Sequence, residues 1–287
     1  MTQPTGEVTL ADAEYGKSEV RLLKLRRDGP RHAIYDLNVA VRLHGDFAHC
    51  YVDGDNRDMP ATDTMRNTIY VAADEHPLDS GESFALALAE RLCRIAPPVN
   101  RAAVQITAYD WDRLPAGKHG HDHAFIRGAG EATARAVVGR DGIQEVAAGI
   151  DNVLVLKSTA TGWANFHRDE LTTLPDTDDR ILATIISAEW SYGARADLDF
   201  VALWASVREQ ILTSFADHYS PSVQHTLYRI GRDVIRAHPE VRRIRMSLPN
   251  KHHLRFDLTP FGRENTDTIF YVTDAPYGLI SGTVERT

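Results

Sequence analysis

Pro60-Ala61-Thr62-Asp63-Thr64-Met65-Arg66-Asn67-Thr68-Ile69-Tyr70 is the stretch on which the reading of the fold turns. It follows Asp53-Gly54-Asp55-Asn56, a polar run of turn-forming residues, and it reads as the opening of a helix. Proline is at ease in a first helical turn, and Thr62 or Asp63 can accept hydrogen bonds from the unpaired amides there. Such an end offers free N–H groups and a positive dipole, which suits an anionic ligand. Residue chemistry by itself is satisfied by a well-capped helix with no ligand at all.

Working outward, the second half of the chain holds a similar four-residue start, Pro221-Ser222-Val223-Gln224. Both read proline, small, β-branched, polar. The flanks also correspond. Before the first start, residues 20–27 and 33–43 read as a strand hairpin around Asp28-Gly29-Pro30, with Tyr35, Leu37, Val39, Val41 and Leu43 alternating with polar or small residues. After it comes a helix over residues 81–95, with Phe84, Leu88, Leu92 and Ile95 on one face, stopped by Pro97-Pro98. Strands then begin at Val104 and over residues 124–127, before an Asp141-Gly142 turn. The second half offers strands at 153–158 and 181–190, and a helix at 200–218 with Val201, Trp204, Val207, Ile211 and Phe215 on one face. The helix opened by Pro221 ends at Pro239, and strands at 241–248 and 269–273 follow. Each half is thus two strands, two helices and two strands. The expectation is two antiparallel sheets, each with helices on one face, whose open edges favour an oligomer.

Composition narrows the function. At 287 residues with 43% apolar side chains, the chain can bury one large core or two medium ones. A formal charge of −8 without any basic block argues against nucleic acid as a partner. No apolar run approaches the ~18 residues of a membrane helix; residues 181–188 are among the longest. The first residues, Met-Thr-Gln-Pro, lack a basic-then-apolar leader, and the last, Val284-Glu285-Arg286-Thr287, are not a peroxisomal address. Cys50 and Cys93 make neither a disulfide framework nor a Cys-x-x-Cys pair, so a reduced cytoplasm is expected.

Several short motifs, in one order along the chain, carry more. They are Tyr15-Gly16-Lys17, Ala61-Thr62-Asp63 with Asn67-Thr68-Ile69-Tyr70, His121-Asp122-His123, and Arg168-Asp169-Glu170 with Thr172-Thr173-Leu174. Asp179-Arg180-Ile181-Leu182, Ser222-Val223-Gln224 and Pro249-Asn250-Lys251-His252 complete the set. Through them the chain resembles cofactor-independent urate oxidase, a tunnelling-fold (T-fold) family, in its bacterial form and over nearly its whole length. The resemblance implies an α+β chain of two tandem T-fold domains, residues 15–147 and 148–287 after a loose N-terminus at 1–14, assembled as an oligomeric barrel. It also implies oxidation of urate by O2 and water to 5-hydroxyisourate and hydrogen peroxide, with neither metal nor organic cofactor. An electron-rich urate anion can give an electron to O2 once a base has removed its proton and the flat ring is held.

Carried over residue by residue, the resemblance makes Lys17 the base, acting through the hydroxyl of Thr62. That amine has to be held neutral, which a second cation, Arg180, favours. Asp63 and Val223 would bind urate through backbone N–H groups. Arg180 and Gln224 would grip the purine edges, the first with a planar fork and the second with an in-plane amide. Asn250 would face Thr62 across the oxygen site, and His252 would relay protons. Trp163 stands where the family usually stacks a phenylalanine, with Phe166 as the alternative. Each has an ordinary reading as well: Lys17 an exposed strand lysine, Arg180 an ion-pair partner of Asp178 or Asp179, Gln224 a surface helix residue. The resemblance further implies a homotetramer with sites shared between chains, Lys17, Thr62 and Asp63 of one facing Arg180 and Gln224 of another.

Three other classes compete. His119-x-His121-x-His123 would set three imidazoles on one face of a strand, the spacing of a metal site, although no acidic or cysteine partner stands at ligand spacing. Pterin-handling enzymes of the same fold also hold flat heterocycles, and fold alone does not separate them. A purine-binding or structural barrel without chemistry would need the clamp but neither Lys17 nor Thr62.

Overall fold

The computed structural model describes residues 8–287. Residues 1–7 of the expected loose N-terminus lie outside the described residues, and 8–13 carry no regular element. The chain then runs β1 (Glu14–Arg26), β2 (Ala33–Gly45), α1 (Thr62–Glu75), α2 (Gly81–Cys93), β3 (Val99–Arg113), β4 (Phe125–Gly139) and β5 (Gly142–Lys157). It continues β6 (Leu182–Gly193), α3 (Phe200–Ala216), α4 (Val223–Ala237), β7 (Arg243–Ser247), β8 (Asn250–Arg255), β9 (Phe270–Gly278) and β10 (Ser281–Glu285). It divides into two compact units. Unit 1 takes the described residues up to Arg127 with Thr133–Ala147 and Gly193–Leu198; unit 2 takes Gly128–Ala132, Ala148–Tyr192 and Asp199–Thr287.

In unit 1, β1 and β2 form an antiparallel hairpin with Leu22 opposite Leu37, and β2 pairs antiparallel with β3. Alternation does what period two requires: Leu37, Val39, Val41 and Leu43 are buried on one face of β2, under the helices. α1 packs on β1 and α2 on β3. α1 buries Met65, Ile69, Ala72 and Ala73, the stripe of a 3.6-residue period. Its C-terminus is closed by Lys24, whose Nζ donates to the carbonyls of Ala73, Asp74 and His76 at 2.8, 2.9 and 2.8 Å. α2 is capped by Ser80, whose Oγ accepts from the Ser83 N–H.

In unit 2, β6 pairs antiparallel with β7, and β7 with β10. α3 and α4 pack on each other, and α4 lies on β7 and β10. Trp190 and Tyr192 of β6 are fully buried, the indole N–H donating to the tyrosine oxygen at 2.8 Å. The structure adds two strands that the sequence reading lacks, β8 and β10. β8 (Asn-Lys-His-His-Leu-Arg) has no β-branched residue and β10 (Ser-Gly-Thr-Val-Glu) is only five residues long, so neither stands out as a local strand pattern and their pairing comes from neighbours. β1 also starts earlier than expected, taking in Tyr15-Gly16-Lys17, and the strand expected at 153–158 is the end of the continuous β5. Val201, expected on the buried face of α3, is 55% exposed. Architecture and topology are those of an α+β chain of two T-fold domains.

Candidate active site

Unit 1 ties the strand segment Tyr15-Gly16-Lys17 to the start of α1 through Tyr15. Gly16 pairs with Arg42 and Lys17 with Val41. A Cβ on Gly16 would fall 1.8 Å from the Val41 carbonyl oxygen, so the middle residue of Tyr15-Gly16-Lys17 has to be glycine. A bulge follows between Lys17 and Val20, with Glu19 at φ 57°, and bulges of this kind re-aim side chains beside sites. Lys17 itself is half-buried, not the exposed strand lysine of its ordinary reading. Tyr15 makes the link to the helix: its hydroxyl donates to the Pro60 carbonyl at 3.0 Å, and its ring meets Phe47 edge-on at 5.0 Å. Burial, with the nearby Cys50 and Tyr51, pushes that phenol up to about 12, so it stays a donor at neutral pH.

The helix start differs from expectation. The N-cap is Ala61, no side chain caps it, and the first intrahelical bond runs from the Met65 N–H to the Ala61 carbonyl. Pro60 therefore precedes the cap instead of sitting in the first turn, and neither Thr62 nor Asp63 caps. Thr62 is the first helical residue and is exposed. The Asp63 carboxylate is occupied along the helix, 2.6 Å from Arg66 and accepting from the Asn67 amide at 3.0 Å. What this end presents is amide N–H groups, the Thr62 hydroxyl and the positive end of the helix dipole.

Unit 2 holds the other candidates. Val223 is the first and Gln224 the second residue of α4, the same places that Thr62 and Asp63 take in α1. Here the cap is made: Ser222 Oγ accepts from the His225 N–H at 3.1 Å, leaving the Val223 and Gln224 amides outward of it. Val223 is buried and Gln224 exposed. Arg180 is half-buried; among the described residues it makes no ion pair, and its Nε is buried without an acceptor. Neither Asp178 nor Asp179 forms an ion pair with it; the Asp179 carboxylate accepts from the Thr159 hydroxyl, and the Asp178 backbone carbonyl from the Tyr219 hydroxyl. Burial lowers the affinity of this guanidinium for its proton, and the facing Tyr219 opposes that. An unpaired, half-desolvated guanidinium lacks an acceptor in its plane.

Trp163 and Phe166 stack on one another, centroids 5.5 Å apart and rings 12° from parallel, with Arg168 over the Phe166 face at 4.6 Å. The two aromatics form one platform. Trp163 is the better anchored, its backbone N–H donating to the Thr177 carbonyl at 2.7 Å and its carbonyl accepting from the Thr177 N–H at 2.9 Å. Asn250 is buried at the head of β8, with its amide 3.5 Å from His252 Nδ1. Thr184 on β6 fixes this corner by donating to the Pro249 carbonyl at 2.9 Å. His253 turns instead to the Lys251 carbonyl.

The histidine triplet is not on a strand. His119, His121 and His123 lie in the β3–β4 connection, where Arg113 holds the His121 and Asp122 carbonyls at 3.1 and 2.8 Å. Among the described residues no group of three His, Cys, Asp or Glu side chains could hold a metal ion. Two contributors escaped the sequence reading. Tyr15 was visible only as part of a motif; its distance of 45 residues from Pro60 hides the contact. The segment 160–162, which ties Arg180 to the start of α4, carries no residue type that signals a site.

The fold is that of a T-fold protein, with Lys17 and the uncapped start of α1 in one unit and, in the other, an arginine without an ion-pair partner among the described residues, tied through residues 160–162 to the capped start of α4. The comparisons with known proteins make this particular. The sequence model of the uricase family matches residues 13–136 and 146–281. The chain is 43% identical over 280 residues to the uricase of Arthrobacter globiformis, covering 98% of this chain and 91% of that one, and 36% identical to that of Dictyostelium discoideum, covering 97% and 98%. The crystal structure of the Arthrobacter globiformis uricase superposes with a TM-score of 0.92 at 42% identity, covering 98% and 96%. The urate oxidase of Bacillus sp. TB-90, at 20% identity and a TM-score of 0.79, supports the fold alone. The chain belongs to the uricase family, and it is an oxidoreductase acting on urate. No described helix is long and apolar enough to cross a membrane.

Proposed function

We propose that the protein oxidises urate to 5-hydroxyisourate with O2 and water, releasing hydrogen peroxide, and that its own side chains do the chemistry. Family membership carries the activity; the unpaired Arg180 carries the site. Arg180 and Gln224 take the edges of the purine, Val223 and Asp63 offer backbone N–H groups, and Trp163, backed by Phe166, lies against its face. Thr62 hands the urate proton to Lys17 and faces the oxygen site with Asn250, while His252 relays protons. Two electrons pass from the deprotonated purine to dioxygen, and water adds to the oxidised ring. The Asp63 carboxylate, already held by Arg66 and Asn67, is turned away from the anion it would repel.

Lys17, Thr62 and Asp63 belong to unit 1, Arg180, Val223, Gln224, Asn250 and His252 to unit 2. We propose that the working site joins these groups across chains of a homotetramer, with T-fold domains at 15–147 and 148–287, and that the protein works in the cytoplasm. Chelator-treated protein mixed with urate in air should consume urate and accumulate peroxide one for one; no urate consumption rejects the reading. Specific activity should collapse on dilution below the assembly threshold, and constant activity in proven monomers rejects shared sites. Fractionation of the producing cells checks the compartment.

A further inference from the structure

Three residues of unit 2, Ala160-Thr161-Gly162, have no part in the proposed chemistry, yet both arms of the purine clamp are tied to them. On one edge Thr161 and Ser220 form an isolated parallel bridge: the Gly162 N–H donates to the Ser220 carbonyl at 2.8 Å, and the Ser220 N–H to the Ala160 carbonyl at 2.9 Å. On the other edge the Arg180 N–H donates to the Thr161 carbonyl at 2.9 Å. The return bond there comes from a side chain, the Thr161 hydroxyl donating to the Arg180 carbonyl at 2.6 Å. Thr161 is completely buried. Its hydroxyl therefore takes the place of a missing ladder bond, and no water can substitute for it.

We propose that Thr161 is a positioning residue for the purine clamp, fixing Arg180 against the Ser220–Gln224 start of α4 and so setting affinity for the flat anion rather than the rate of its oxidation. Arg180 is the last residue but one before β6, at the end of a long connection from β5, so its backbone needs an anchor before its fork can be aimed. Gripping two edges of one rigid ring tolerates little error, because a misplacement of about 1 Å between clamp groups already weakens binding strongly. Gly162 shows how tightly the segment is seated. A Cβ there would fall 2.3 Å from the Tyr219 hydroxyl oxygen and 3.0 Å from the Thr177 carbonyl oxygen.

This inference rests on the urate-oxidase reading, and the wild-type protein tests that reading separately, since a wild type that consumes no urate rejects it before Thr161 is touched. Given an active wild type, Thr161→Val keeps the shape and removes the donor. It should raise KM for urate and Kd for xanthine, a purine that lacks the 8-oxo group, each about tenfold, the scale of one unmade buried hydrogen bond. Because the lost contact serves ground and transition states alike, kcat should stay within about threefold. Thr161→Ser, which restores the donor, should bring both constants back towards wild type. An unchanged KM and xanthine Kd in Thr161→Val, a fall in kcat alone, or a Thr161→Ser variant as weak as the valine overturns the proposal. If Thr161→Val does not fold, Gly162→Ala decides, because it displaces the same segment against Tyr219: a raised KM with kcat held supports the proposal, and an unchanged KM overturns it.

Discussion

The starts of α1 and α4 are built from the same kind of four-residue sequence and finish differently. Ala61 and Ser222 are both N-caps, Thr62 and Val223 both first helical residues, Asp63 and Gln224 both second. Ser222 spends its hydroxyl on the His225 N–H, which leaves a rigid, satisfied helix end from which Gln224 projects. Ala61 has no hydroxyl to give, and the β-branched residue after it is a threonine instead of a valine. One end is thus capped and, in the function we propose, binds; the other has no side-chain cap and leaves the Thr62 hydroxyl free for the chemistry we propose, steadied from outside by the Tyr15 bond to Pro60. Placing chemistry at a helix start conflicts with finishing that start. The third such end, α2, makes the same point through stability. Glu82, also a second helical residue, is buried with Oε1 unpartnered, and burial pushes its carboxyl up to about 7.

If the division between a reactive end and a binding end is right, the largest effect belongs to the base. Lys17→Ala should lower kcat by about 1,000-fold, within the range for a positioned base, with xanthine Kd little changed. Equal losses of binding and turnover would contradict the role. Arg180→Gln should show the opposite split, raising KM about 100-fold as charge-assisted hydrogen bonds are lost, with a smaller change in kcat. Steady-state kinetics on both variants checks the contrast.

The α2 end is tested by stability. A carboxyl whose native value is raised stabilises the fold fully below its unfolded value, and that contribution is lost as pH climbs through about 7. Denaturant titration should therefore find the protein weakened between pH 5 and 8. Glu82→Gln should recover about 3 kcal/mol at pH 8 and nothing at pH 4. An unchanged pH profile in the variant rejects the buried carboxylate as the cause.

The smallest effects come from exchanging the caps. Ser222→Ala should destabilise by about 1 kcal/mol and raise KM, while Ala61→Ser should stabilise by a similar amount at some expense in kcat. An Ala61→Ser protein that is more stable and equally active would show that the open cap of α1 serves nothing.

Much of this was legible in the sequence. The alternation in β2 and the stripes of α1 and α2 announced an α+β chain, because period two and period 3.6 are properties of the local chain. The repeated helix start anticipated two corresponding units, and the order of short motifs pointed to the uricase family. Local pattern misled where the partner is remote: the histidine triplet has strand spacing but lies in a loop held by Arg113, and β8 without a β-branched residue and the five-residue β10 pair all the same with β6, β9 and β7. The sequence by itself determined the elements, the family and the residue types available for catalysis. Only the tertiary structure decided that Thr62 is free of capping, that Arg180 has no counter-charge among the described residues and that the Thr161 hydroxyl bonds the Arg180 carbonyl, because hydrogen bonds between residues 19 to 45 apart depend on where the whole chain comes to rest.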